Sequence, residues 1–373
     1  MAHAYTPGLR VTERMKLVKE RRLPLKGTVL VEKGAKVKAE DVVARTELPG
    51  NVQPIKAASI LGVHQQDLRE FMAKKEKEAV EKDEIIATSK SFFGLFKSHC
   101  RSPVTGTIES ISDVTGQVII REPPIPVEVD AYIDGIVAEV MKDEGVLIQA
   151  EGSFLQGIFG VGGETVGLIA VAVETADQEL TADHLKPEHA GKVVIGGSLV
   201  RIPALRKAVE VGVKALVVGG LDDKDLRELL GYDLGVAITG TEEIGCTVVV
   251  TEGFGAMTMA HRTFDLLKAR EGKQASVNGA TQIRAGVMRP EIVIPLGDHQ
   301  EIEKRGDEGV GLQVGSPIRV IRMPYFGALG EVTELPPELQ KMESEAKVRV
   351  LKAKLESGDE VLLPRANVEM IES

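Results

Sequence analysis

The chain has no tryptophan, and aromatic residues make up only 3% of it. Grooves that grip sugars or stack bases are lined with such rings, so the composition argues against that class of site. Cores must be built from Val, Ile, Leu and Ala instead, which suits Val-rich β and α/β folds. Cysteine is scarce as well. Cys100 and Cys246 are the only two, and they lie far apart in the chain. That argues against a disulfide and leads us to expect two reduced, partly buried thiols in a cytosolic protein. No apolar run reaches the roughly 20 residues needed to span a bilayer. The longest, Val166 to Val173, falls well short. Met1 to Gly8 has no apolar h-region, so a signal peptide is not expected. A soluble, cytoplasmic protein is the expectation.

An excess of positive charge is missing too. Lys and Arg number 46 against 56 Asp and Glu, a net charge of −10. The whole molecule cannot coat nucleic acid through bulk electrostatics, and any RNA contact must come from a local basic face. At 373 residues and 43% apolar content, the chain is long enough for about two to four domains with proper cores.

The period of the text changes along the chain. Residues 1–22 read as a charged N-terminal arm, with a helical turn or two over Thr12 to Arg22. From Leu25 to Thr46, apolar and polar residues alternate, with glycines at the bends. Leu48-Pro-Gly-Asn-Val continues the pattern. It returns in Ser102-Pro-Val-Thr-Gly-Thr-Ile-Glu-Ser-Ile and again in Asp134-Gly-Ile-Val-Ala-Glu-Val. Such weak repeats of strand, turn and returning strand resemble a barrel-sandwich hybrid, the fold of biotinyl and lipoyl carriers. They resemble most the version in the C subunit of the Rnf electron-transport complex. The resemblance implies a sandwich over 23–170. A Lys- and Glu-rich surface helical insertion is expected at 65–82, where Leu68, Phe71, Met72 and Val80 form a broken apolar stripe. Two cysteines cannot ligate the iron–sulfur clusters of that relative, so electron transfer is not implied. A carrier would need an attachment lysine at a hairpin tip. Lys142 in Met141-Lys142-Asp143 is the nearest candidate, and an unmodified turn lysine is the expectation.

From 171 to 297 strand and helix alternate with short Gly-rich links. Strands are expected at Val193 to Ile195, Ala215 to Val218, Val236 to Thr239 and Thr247 to Thr251. Helices are expected at Ala204 to Val211, Asp223 to Leu230 and Met259 to Arg270. This predicts a mainly parallel α/β domain. Residues 298–311 read as a linker.

The last segment, 312–373, is written in short alternating strands around G-A-L-G-E-V at 327–332. It resembles a KOW module, the SH3-like barrel of the transcription factor NusG and several ribosomal proteins. Gly330 matches the glycine which that family uses at its central turn. The resemblance implies contact with RNA, the ribosome, RNA polymerase or another protein. Strand alternation sends Arg319, Arg322 and Arg349 outward, beside Tyr325 and Phe326 at a loop tip. These five residues are the candidate partner surface.

No complete catalytic signature is present, and whether any chemistry is catalysed stays open. Gly-rich strand-to-helix turns can hold an anion through free N–H groups. Gly196, Gly197, Ser198 and Arg201 form one such turn, Gly253 and Gly255 another, and Arg284 could converge on the second. Gly157-Ile-Phe-Gly-Val-Gly-Gly-Glu-Thr is a further Gly-rich stretch. None matches a dinucleotide or P-loop fingerprint. Cys246 and His261 make a conceivable pair, but a core cysteine and a surface histidine are the simpler reading. No metal or cofactor is expected. The preferred function is a non-enzymatic cytosolic adaptor or scaffold that acts through the barrel. The alternatives are a nucleotide or anion sensor or enzyme on the α/β domain and, more weakly, a carrier.

Overall fold

The computed structural model describes residues 9–91, 96–232, 239–240, 242–282, 288–297, 312–320, 322, 324–325, 327–336, 339–341 and 347–370. It is rich in strand and carries one large mixed sheet, three small sheets and a half-barrel sheet at the C-terminus.

Four strands at the heart of the large sheet run parallel: Thr247–Phe254, Ala215–Leu221, Lys192–Ile195 and Glu164–Val171. The Val-rich runs of the first three are buried on both faces, as a covered parallel sheet requires. Helices Ile202–Val211 and Asp223–Leu230 make two of the crossovers. Each ends at a left-handed glycine, Gly212 or Gly231. The two helices pack on one another and are bridged by Arg206 and Glu228 at 2.8 Å.

The rest of the sheet is antiparallel, so the expectation of a mainly parallel sheet holds only for its centre. Phe159–Val161 closes one side. Gln274–Asn278, Glu291–Pro295, Gly145–Gln156, Gly135–Met141 and Lys36–Val37 extend the other. The last helix, His261–Ala269, returns the chain antiparallel to Glu164–Val171, and no described helix follows it to restore direction. The boundary expected at 170/171 therefore runs through one continuous sheet. The expected strand at 236–239 lies almost wholly outside the described residues.

The N-terminal arm is not helical. Val11–Arg22 is a strand paired along Gly145–Gln156. Its inward face carries Val11, Met15 and Leu17, then Lys19 and Arg21. Those two cations lie 5.8 and 5.2 Å from the ring of buried Tyr132 and are closed by Glu291 and Glu164. Stems of long cations cover an aromatic surface well, so this face is amphipathic although it reads as charged.

Residues 52–121 form a unit with its own core of Ile55, Leu61, Leu68, Ile86, Cys100, Ile108, Val118 and Ile120, among others. The expected surface helix at 65–82 is absent. One 3-10 turn, Gln65–Asp67, and one helical turn, Leu68–Phe71, lead to the short strand Ala79–Val80. Leu68 and Val80 are buried. A broken stripe anchors single turns to a sheet core and cannot sustain a helix face.

The C-terminal sheet links Leu339–Lys341, Lys347–Leu355, Leu329–Glu334, Pro317–Val320 and Val368–Met370, with Glu360–Pro364 on Lys347–Leu355. Ile318, Val320, Val332, Leu351, Ala353 and Leu363 fill its core. Gly330 sits in the strand Leu329–Glu334 opposite Leu355, not at a turn. Residues 298–311, read as a linker, lie outside the described residues.

Candidate functional site

The glycine turns expected to hold a ligand gather at the C-terminal ends of the parallel strands. Gly196 and Gly197 follow Lys192–Ile195. Gly253 and Gly255 lie at and beyond the end of Thr247–Phe254, with Ala215–Leu221 between the two turns. Ligands of open α/β sheets bind at this end. At Gly197 the chain's own backbone occupies the space, whereas a Cβ on Gly253 or Gly255 would meet no backbone. A Cβ on Gly197 would lie 2.2 Å from the carbonyl oxygen of Gln178. On Gly219 it would meet Met257 O at 2.2 Å, and on Gly220 it would meet Gly255 O at 2.0 Å. The glycines thus admit the segments 175–180 and 255–259 to within backbone contact.

The polar candidates at this edge are committed to the same packing. Ser198 Oγ donates to Asp177 O at 2.7 Å. Arg201 precedes the helix Ile202–Val211 and pairs with Glu179 at 3.3 Å and Asp222 at 3.2 Å, half exposed. Arg284 lies outside the described residues. Glu252 is buried at the centre of the edge. Its Oε1 accepts the Ala260 N–H at 3.0 Å, just ahead of the helix His261–Ala269.

Arg319 is the counterpart, and its position corrects an expectation. It does face away from the core of the C-terminal sheet, as strand alternation requires. That direction leads into the α/β unit, where its guanidinium pairs with the Glu252 carboxylate and donates to Glu252 O at 3.2 Å. Leu329 packs on the α/β core, and the Met257 methyl lies against Gly327. The C-terminal sheet therefore caps the glycine-rich edge. Of the other partner candidates, Arg322, Tyr325 and Arg349 are exposed, and Phe326 lies outside the described residues.

The remaining candidates stay apart. Cys246 precedes the strand Thr247–Phe254 and His261 follows it. Eight strand residues separate their ends by roughly 25 Å, so they form no dyad. Burial pushes the Cys246 thiol up to about 12. His184 and His189 cap their own 3-10 turns through Nδ1. Burial pulls the His189 imidazole below its ordinary value. His99 bonds Thr88 at 3.0 Å, while Cys100 points into the core. Lys142 sits at a hairpin tip, but that tip is tied down. Gly27 N–H donates to Asp143 O and Leu23 N–H to Glu144 O, at 2.8 and 2.7 Å. Among the described residues no group of three His, Cys, Asp or Glu could hold a metal ion.

No protein-family model matches the chain, and no curated protein is similar to it.

Proposed function

We propose that the protein is a non-enzymatic cytoplasmic adaptor whose C-terminal KOW-type, SH3-like barrel contacts the transcription or translation machinery. An N-terminal barrel-sandwich hybrid and the α/β unit serve as its scaffold. The observation that carries this reading is the division of labour among the barrel's candidate residues. Arg319 is spent on docking, which fixes the barrel on a rigid platform. Arg322, Tyr325 and Arg349 stay exposed on the docked module. Tyr325 keeps 39% of its surface in water, and a ring beside arginines is a chemistry that meets RNA or a protein partner. The alternative of a nucleotide or anion site at the glycine-rich edge has less support, because backbone fills the space beside Gly197 and Ser198 and Arg201 are bonded within the chain. The test is affinity recovery from native lysate with the full chain and with its Arg322→Ala/Tyr325→Ala/Arg349→Ala form. Loss of ribosomal, polymerase or RNA species from the variant supports the proposal. Identical recoveries, or none of these species with either form, defeat it.

A further inference from the structure

The opposite end of the parallel strands holds a second constellation, which the adaptor reading does not use. A cleft of about 230 Å³ opens where the strands Ala215–Leu221 and Thr247–Phe254 begin. Lys214, Cys246 and Thr247 line it from those strand starts. Gly162 and Gly163 border it from the turn between Phe159–Val161 and Glu164–Val171, and Glu242 comes from the chain before Cys246. The volume equals several waters at roughly 30 Å³ each, enough for a small oxyanion.

The Glu242 side chain shows what this cleft holds. Its Oε2 accepts two backbone N–H groups, Gly162 at 3.1 Å and Gly240 at 2.7 Å. The first donor lies 80 residues away in sequence, so the carboxylate does more than cap its own loop. Both donors belong to glycines with positive φ, 85° and 116°. That conformation is closed to most side chains. The charged groups of the lining are two carboxylates, Glu164 and Glu242, and one cation, Lys214. Glu164, the other carboxylate of the lining, is held by Arg21 through two hydrogen bonds of 2.8 and 2.7 Å. Lys214 is exposed at the rim and forms no ion pair among the described residues.

We infer that this cleft is an oxyanion-binding site, for a phosphate or carboxylate group, and that Glu242 is the internal anion which occupies it until a ligand displaces it. An incoming oxyanion would take over the Gly162 and Gly240 N–H groups and gain Lys214, which Glu242 does not engage. Because Glu242 competes, the intact protein binds such a ligand more weakly than the bare site would, by the fraction of time the site is open. The inference does not depend on the adaptor proposal.

Inorganic phosphate is the probe, titrated against the full chain by calorimetry and ³¹P NMR, with acetate as a second arm. Glu242→Gln keeps the size and one acceptor but removes the competing charge. It should tighten phosphate binding about tenfold or more. Lys214→Met in the same background should abolish that gain. A preference for phosphate over acetate assigns the site to phosphate monoesters, and the reverse to carboxylates. Phosphate affinity that is unchanged in Glu242→Gln overturns the inference, as does a gain that survives Lys214→Met. Should Glu242→Gln fail to fold, wild type and Lys214→Met are compared alone. Phosphate protection of the wild type against thermal unfolding that is equal in both also overturns it.

Discussion

Arg319 and Glu252 form an ion pair whose side chains are only 5% and 2% exposed, and the pair joins the C-terminal sheet to the α/β unit. Each charge is tolerable there because the other is present. Removing one partner of a buried pair costs about 3–5 kcal/mol, since it strands the remaining charge away from water. Arg319→Met should therefore destabilise the protein by that amount in urea unfolding. Hydrogen exchange should speed up in Pro317–Val320 and near Ala260. Arg319→Met combined with Glu252→Gln strands no charge and should recover a large part of the loss. If the double variant is as unstable as the sum of the singles, the two residues are not coupled.

The same docking changes what a lesion in the C-terminal sheet does. Gly330 faces the strand Lys347–Leu355 so closely that a Cβ would lie 2.6 Å from Lys354 O and 3.0 Å from Leu355 Cα. Neither is a flexible side-chain end, so Gly330→Val must push the strands apart, at a cost of about 1–3 kcal/mol or more. Exchange protection should fall throughout the C-terminal sheet and also at 252–260, where Arg319 is anchored. The separate core of residues 55–120 should keep its protection. Protection lost from that core as well would show that the chain unfolds as one block.

The parallel centre of the fold was legible because its signals are local. Val193 to Ile195, Ala215 to Val218 and Thr247 to Thr251 are apolar runs of strand length. Asp223 to Leu230 has acids in its first turn and Gly231 after its last. What escaped depends on partners distant in sequence. Val11–Arg22 reads as charged because the ring and carboxylates that settle Lys19 and Arg21 come from Tyr132, Glu291 and Glu164. Strand alternation directs Arg319 away from the core of its own sheet. No rule of strand alternation can say that outside the barrel means inside the neighbouring unit. The glycine turns were found, but glycine serves a bound anion and a close backbone equally well. At Gly197 only the carbonyl of Gln178 separates the two cases. Glu242 carried no signal at all, since its two donors are set by the fold.

Alkaline pH offers a test of the main core. Burial raises the Cys246 thiol from an ordinary 9.0 to about 12, and it raises the Tyr132 phenol, which also faces Glu291 and Glu164. The folded state thus holds these protons more tightly than the unfolded chain does. The Cys246 contribution to stability is full below pH 9 and declines as pH rises from 9 toward 12, and the Tyr132 contribution begins to decline only as pH rises past 10.0. For Cys246 the decline is about 1.4 kcal/mol per pH unit. Cys246→Ala should be less stable than wild type at pH 8 but lose less stability between pH 9 and 10.5, by about 2 kcal/mol. Denaturant titrations at the two pH values measure this. Parallel losses in both proteins would mean that the thiol is not shielded as its burial indicates.

If the C-terminal sheet binds a partner as proposed, the nature of that partner should be readable from salt. Arg322 and Arg349 are exposed and can each neutralise one phosphate, while Tyr325 offers a ring face. If the partner is single-stranded RNA, each phosphate contact contributes about 0.7 to the slope of log affinity against log salt. Arg322→Ala with Arg349→Ala should then flatten that slope by about 1.4. Tyr325→Ala should cost about 1–3 kcal/mol at every salt concentration through lost stacking. A protein partner reverses the weights, because a half-buried tyrosine becomes an anchor while rim arginines contribute little. Tyr325→Ala would then dominate, and the arginine pair would leave the slope nearly unchanged. Binding measured between 50 and 300 mM salt with the three proteins separates these outcomes. If both variants match the wild type against every partner recovered, the barrel acts only as the cap that Arg319 fastens over Glu252.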